Sequence, residues 1–330
     1  MNAHLLTGLI AALGLFANLV GVGEARAQTG GAPSGDAHAA HSGHAHAHAD
    51  FASERLHVRV DGDEDGRDII LIPGLSSSPE VWQETVDHLL AQNGAAQDGR
   101  GWRVHRIHVQ GFAGAPVAGN AEGPVAAPVA EEIARYITEN GLHKPVVVGH
   151  SMGGTMAMML AARHPDLVGR LMVVDMVPFM GMMFGPPGTT AQTVGPIADQ
   201  VAQGMAAASP EDYQARAAAS VTGMIATEAK RAGPLADTAA SDQQVVSHAM
   251  RELIATDLRP ELPAITAPTE VLYVAFITPG ITPQITDAIY QASFAALPGV
   301  TLKRIDDSAH FIMLDQPEAF QSELDAFLAR

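Results

Sequence analysis

A serine that attacks a carbonyl must be lifted clear of its neighbours and handed a base, and one stretch of this chain has the residues for that. Gly149-His150-Ser151-Met152-Gly153-Gly154 follows the apolar run Pro145-Val146-Val147-Val148 and precedes Thr155-Met156-Ala157-Met158-Met159-Leu160. A buried strand turning sharply into a helix throws the middle side chain out at the top of a sheet. The flanking glycines are required because any Cβ there would collide with the adjoining strand or helix. Ser151 is therefore the candidate nucleophile, at a nucleophile elbow.

The base should come from the loop that follows the last strand, and the oxyanion donors from the residue after the nucleophile and from the loop after an early strand. Asp306-Asp307-Ser308-Ala309-His310-Phe311 lies between a strand pattern at Thr301 to Ile305 and a helix pattern at Pro317 to Leu328. This puts His310 at the same edge of the sheet as Ser151. The backbone amides of Met152 and Leu75, the latter in Pro73-Gly74-Leu75, occupy the two donor positions.

The elements around these residues alternate. Leu56 to Val60 reads as a strand and Asp68 to Ile72 as its hairpin partner, joined by the acidic turn Asp61-Gly62-Asp63-Glu64-Asp65-Gly66. That turn has calcium-loop spacing, but Ile72 stands at the twelfth position and strands flank it, so an acidic hairpin turn is the better reading. A helix from Val81 to about Gln92, a strand from Trp102 to Val109 and a helix marked by Val129, Ile133 and Ile137 follow, the last closed by Asn140-Gly141. The helix after Ser151 is apolar on nearly every side and should be central. Leu171 to Asp175 is the next strand. From Val177 to about Leu262 the alternation lapses into helical material rich in Met, Ala and Gly. It resumes with a strand at Val271 to Ala275 and a helix near Thr286 to Ala296. Each crossover carries a helix, so the core should be an α/β fold with a mostly parallel sheet and helices on both faces.

These residues resemble the α/β-hydrolase superfamily, through Pro73-Gly74-Leu75, the elbow, Val174-Asp175-Met176-Val177-Pro178 and Ala309-His310-Phe311, in family order over about Asp68 to Arg330. The resemblance implies the α/β-hydrolase fold, a Ser-His-acid triad and a helical lid inserted after the family's sixth strand. Two departures stand out. Pro73 replaces the histidine of many relatives, and the seventh-strand end, Val271 to Gly280, lacks the acid that most relatives carry there. Asp175, at the sixth-strand end where relatives resembling haloalkane dehalogenases place their acid, keeps the order Ser, Asp, His. Asp307 and Asp287 are the reserves.

The N-terminus speaks to location. Leu5 to Val22 is almost uninterruptedly apolar, and Ala25 and Ala27 form a small-x-small pattern, which reads as a secretory signal cut after Ala27. Residues 28–50 are small and polar with His38, His41, His44, His46 and His48, a composition that cannot bury enough surface to fold. They read as a disordered tether; the alternation of His44, His46 and His48 also suits a weak Zn²⁺ or Cu²⁺ site. The expected organisation is thus signal 1–27, tether 28–50, core 51–176, lid 177–262 and core 263–330, in a periplasmic or secreted protein.

Composition narrows the partners. A net charge of −17 with 19 basic residues argues against nucleic acid or anionic lipid, and no stable membrane insertion is expected once the signal is removed. The chain has no cysteine, which excludes disulfides and thiolate chemistry. The expected activity is hydrolysis of a small-molecule carboxylic ester without a cofactor. Phe179, Met180, Met183 and Phe184 are the expected apolar substrate pocket. Two rivals from other classes remain: a binding protein of the same fold that lost its triad acid, and a metal-binding protein working through the tether.

Overall fold

The computed structural model describes residues 51–92, 100–186, 188–276 and 280–330; the signal, the tether and its histidines lie outside the described residues. In chain order the elements are β1 (Leu56–Gly62), β2 (Arg67–Ile72), α1 (Gln83–Ala91), β3 (Trp102–Val109), α2 (Ala126–Glu139), β4 (Val146–His150), α3 (Met152–Arg163) and β5 (Arg170–Val174). Four helices follow: α4 (Ala191–Ala207), α5 (Pro210–Met224), α6 (Ala232–Ala240) and α7 (Gln243–Ala255). The chain then runs through β6 (Thr269–Tyr273), α8 (Pro283–Ser293), β7 (Thr301–Arg304), α9 (Ile312–Asp315) and α10 (Pro317–Leu328).

The strands form one sheet in the order β1-β3-β2-β4-β5-β6-β7. All neighbours are parallel except β1, which runs antiparallel to β3. β1 and β2 are therefore not hairpin partners as the sequence suggested, because β3 lies between them. β2 is bonded on both sides by parallel strands, whereas β1 has one free side and exposes Val60, as an edge strand can. Asp61 belongs to β1 and accepts from Arg106 Nε at 2.8 Å, so it serves a buried arginine of β3 and not the turn. The strand before the helical segment is the fifth of the seven described here, one fewer than the family count.

The sheet divides the core by alternation. Ile70 and Ile72 of β2, with Val147, Leu171 and Val173, pack on the face covered by α2 and α3. Ile69 and Leu71, with Val148, Met172 and Val174, pack on the face covered by α1 and α10. Strands buried on both sides need apolar residues at every position, which is why β2 and β4 read as continuous runs. All of α3 except Arg163 is buried, so Ser151 sits at the head of a helix held on every side. Among the described residues no helix is long and apolar enough to cross a membrane.

Candidate active site

Ser151 sits between β4 and α3 with φ 54° and ψ −122°. The glycines around it are set by contact. A Cβ on Gly149 would lie 2.2 Å from the Gly153 carbonyl oxygen, and one on Gly153 would lie 2.2 Å from that of Ile72. The Ser151 amide donates to Val174 O at 2.9 Å, which ties the elbow to the end of β5. Seven described non-glycine residues have positive φ, and Ser76, Ser151 and Asp175 among them meet at this edge of the sheet. Backbone strain costs about 1–3 kcal/mol per residue and persists only where surrounding packing enforces it.

Asp175 follows β5, and His310 comes from the loop after β7. His310 Nδ1 donates to Asp175 Oδ2 at 2.6 Å. A carboxylate only accepts, so this bond puts the ring proton on Nδ1 and leaves the Nε2 lone pair for a proton acceptor's work. The other oxygen, Oδ1, accepts from the Val274 amide at 3.1 Å and from Tyr290 OH at 3.0 Å. The two reserve acids are elsewhere: Asp287 is held by Tyr273 OH and by Arg304 Nη1, which donates to both of its oxygens, and Asp307 is exposed.

The loop carrying His310 is fixed from three sides. Its carbonyl accepts from His150 Nε2 at 3.0 Å, Ala309 N donates to Asp315 Oδ2 at 2.9 Å, and Phe311 N donates to Met224 O at 3.3 Å. His150 is fully buried. Burial, and then the proximity of His310, hold its pKa well below the ordinary value, so it stays neutral beside His310.

Ser151, His150 and His310 line a cleft of about 620 Å³, part of it open to solvent. Gly74 and Leu75 border it. A Cβ on Gly74 would come within 3.1 Å of Ser151 Cβ, so the loop after β2 passes close against Ser151, with Leu75 bordering the same cleft. Met152 is the first residue of α3, and amides in a helix's first turn have no partner within the helix. No Ser151–His310 hydrogen bond is formed among the described residues; such pairs often close only when substrate binds. The rest of the lining is mostly apolar, with Met205, Tyr213, Val221, Met224, Val246 and Met250 from α4, α5 and α7, together with the hydroxyl residues Ser76, Ser77, Ser220 and Thr238. No Asp, Glu, Lys or Arg lines it among the described residues, nor is there a cluster of metal-ligating side chains elsewhere in them.

The expected pocket residues Phe179, Met180, Met183 and Phe184 do not line this cleft. Phe179 and Met180 are buried at the foot of the helical segment, where the Arg259 guanidinium covers the Phe179 ring at 4.6 Å. A Cβ on Gly181 would strike that ring and the Ile254 carbonyl, so this turn packs tightly against α7 and fills space under it.

The sequence pattern of the alpha/beta hydrolase family matches residues 69–322. The chain belongs to the alpha/beta hydrolase family. It is 24% identical over 278 residues to a pimeloyl-[acyl-carrier protein] methyl ester esterase of Vibrio vulnificus (strain YJ016), covering 84% of this chain and 100% of that protein. Among solved structures, an esterase from Exiguobacterium antarcticum superposes with a TM-score of 0.66 at 18% identity, over 83% of this chain and 96% of that one. The enol-lactonase from Burkholderia xenovorans LB400 gives 0.63 at 20%, over 83% and 96%. These structural likenesses carry the fold.

Within this hydrolase two groups of site residues escaped the sequence reading. Tyr213, Ala217, Ser220, Val221 and Met224 of α5 all line the cleft, at spacings of four, three, one and three. That is one face of a helix, a signal present in the sequence but blurred by the surrounding alanines. Tyr290 and Asp315 act on the site through hydrogen bonds to Asp175 and to the base loop, and nothing in their local sequence distinguishes them from ordinary helix residues.

Proposed function

We propose that this hydrolase cleaves carboxylic esters of apolar acyl groups through Ser151, His310 and Asp175. The observation that carries the reading is the 2.6 Å bond from His310 Nδ1 to Asp175, with the free face of the ring in the same cleft as Ser151. His310 Nε2 takes the Ser151 proton as Oγ attacks the ester carbonyl, and the amides of Leu75 and Met152 receive the oxyanion. Collapse expels the alcohol, protonated by the imidazolium, and leaves an acyl-enzyme. Water, deprotonated by the same nitrogen, then releases the acid and restores Ser151. Asp175 holds the tautomer throughout and stabilises the imidazolium.

The esterase among the relatives and the esterase among the structural neighbours support ester chemistry. The uncharged lining supports an apolar acyl group, with the helical segment 177–262 as the lid over it. The N-terminal 27 residues support a periplasmic or secreted site of action. A fluorophosphonate probe tests the reading directly: it should tag Ser151 in the native protein and fail in Ser151→Ala. Ser151→Ala and His310→Ala should each abolish most ester turnover, and the double variant should be little worse than either, since the two act as one unit. An untagged native protein would favour a binding function.

A further inference from the structure

Asp175 reaches His310 with one oxygen only, so the other decides how the carboxylate is turned. Oδ1 has two donors, the Val274 amide at 3.1 Å and the phenol of Tyr290 at 3.0 Å. Tyr290 is buried in α8, and its ring is stacked on Tyr273 with centroids 4.0 Å apart and planes 18° apart, with Phe294 on a nearly parallel plane at 6.4 Å. Tyr273 is itself pinned, because its hydroxyl donates to Asp287, which pairs with Arg304. The phenol thus has a fixed position at the end of a rigid aromatic stack, and a buried hydroxyl is costly without a partner.

We propose that Tyr290 is a positioning residue for the Asp175–His310 pair, its phenol holding Oδ1 so that Oδ2 stays aimed at His310 Nδ1. The inference rests on the triad reading above. A carboxylate anchored at one oxygen by two donors cannot rotate without leaving both unpaired, and two frozen torsions become one frozen direction for the imidazole. Two ionisable side chains touch this pair among the described residues: His150 from β4, its ring centroid 4.7 Å from that of His310, and Tyr290 from α8. Burial, then the charge of Asp175, push the Tyr290 hydroxyl well above its usual pKa, so it remains a donor across the working range.

The test is Tyr290→Phe in the full chain. We expect kcat on a p-nitrophenyl ester to fall about tenfold with KM within about twofold, because orientation of the base is lost while the cleft is untouched. The low-field proton resonance of His310 Nδ1 should exchange with solvent about tenfold faster, relative to a core amide, as its acceptor loosens. In an Asp175→Asn background Tyr290→Phe should cost nothing further. Unchanged kcat and proton exchange, or an equal loss in the Asp175→Asn background, would overturn the proposal. If the phenylalanine variant does not fold, 3-fluorotyrosine at position 290 keeps the shape and strengthens the donor, and a Nδ1 resonance that does not move would overturn it equally. The resonance is read without substrate, so a protein that hydrolyses no ester still decides the role of Tyr290 separately from the function.

Discussion

Asp175 has φ 49° beside a serine with φ 54°, a conformation that aspartate adopts more readily than most residues and that hydrogen bonds to its side chain can fix. Three hydrogen bonds reach its two oxygens. Asp175→Asn should lower kcat by about 10³- to 10⁴-fold with folding intact, since the amide favours the wrong histidine tautomer. Asp287→Asn and Asp307→Asn should each stay within about tenfold, because neither meets His310. Steady-state kinetics on the three variants checks this, and a tolerated Asp175→Asn would leave a Ser-His pair working without its acid. Chain order pointed to Asp175 in the sequence, but the donors that hold it could not be read there, because an aromatic on a helix's apolar face looks the same whether it fills space or aims a hydroxyl. His150 gives a second expectation. Its folded-state pKa lies below the unfolded value of 6.5, so only the unfolded chain takes up that proton as pH falls, and stability is lost downward from about 6.5. His108, also lowered chiefly by burial, acts in the same direction. Unfolding free energies from urea titrations between pH 7 and 5 should therefore fall by up to about 1.4 kcal/mol per pH unit for each such histidine, and less steeply in His150→Gln.

Among the carboxylates that fasten the helical segment to the sheet domain, Glu252 and Asp315 do so at different places. Glu252 of α7 accepts from the amides of Val125, Ala126 and Ala127, capping the N-terminus of α2, and among the described residues makes no hydrogen bond to the loop that carries His310. Asp315 of α9 accepts from Ala226 and Thr227, just past α5, and from Ala309, the residue before His310. The wall of the cleft and the base loop thus share one anchor. Removing an acceptor of three amides should cost about 2–4 kcal/mol for the buried Asp315 and less for the half-buried Glu252, and only the first loss should reach the chemistry. Asp315→Ala should lower kcat at least about tenfold at temperatures where the protein is folded, whereas Glu252→Ala should lower Tm and leave kcat within about twofold. Equal effects on kcat would mean that the base loop does not depend on this anchor. Elements were legible in the sequence wherever one period dominated: the strand at Trp102 to Val109 has the bounds expected, and the β6 strand begins only two residues early. Pairing was not legible. The turn at Asp61 to Gly66 suggested a hairpin because nearness along the chain was the only clue, and the partner of β1 lies about 40 residues on. The pocket was misplaced for a related reason: Phe179 to Phe184 is the most apolar run in the segment, and apolarity marks burial without saying whether a cleft or a core buries it.

The molecule as a whole combines an acidic exterior with a cleft that no charged side chain lines among the described residues. A strongly negative chain repels anionic partners at a distance, and the cleft has no cation to retain an anion that arrives. Under the proposed ester reading, the acyl group gains its binding from apolar contact with Met205, Val221, Met224, Val246 and Met250, which are side chains of the helical segment and not of the sheet. Methionine is unbranched and adapts to irregular shapes, so the wall should accept several chain lengths in place of one. Each methylene buried in the transition state contributes about 0.8 kcal/mol, or roughly fourfold in kcat/KM, until the chain reaches the end of the cleft. Along a series of p-nitrophenyl esters from acetate to octanoate, kcat/KM should accordingly climb from acetate to a medium chain and then level. An acyl chain of that best length ending in a free carboxylate should be at least about tenfold poorer, because its charge would be buried without a partner. A flat or falling series would show that the acyl group does not lie against the methionines, and equal turnover of the charged chain would show that its end remains in water.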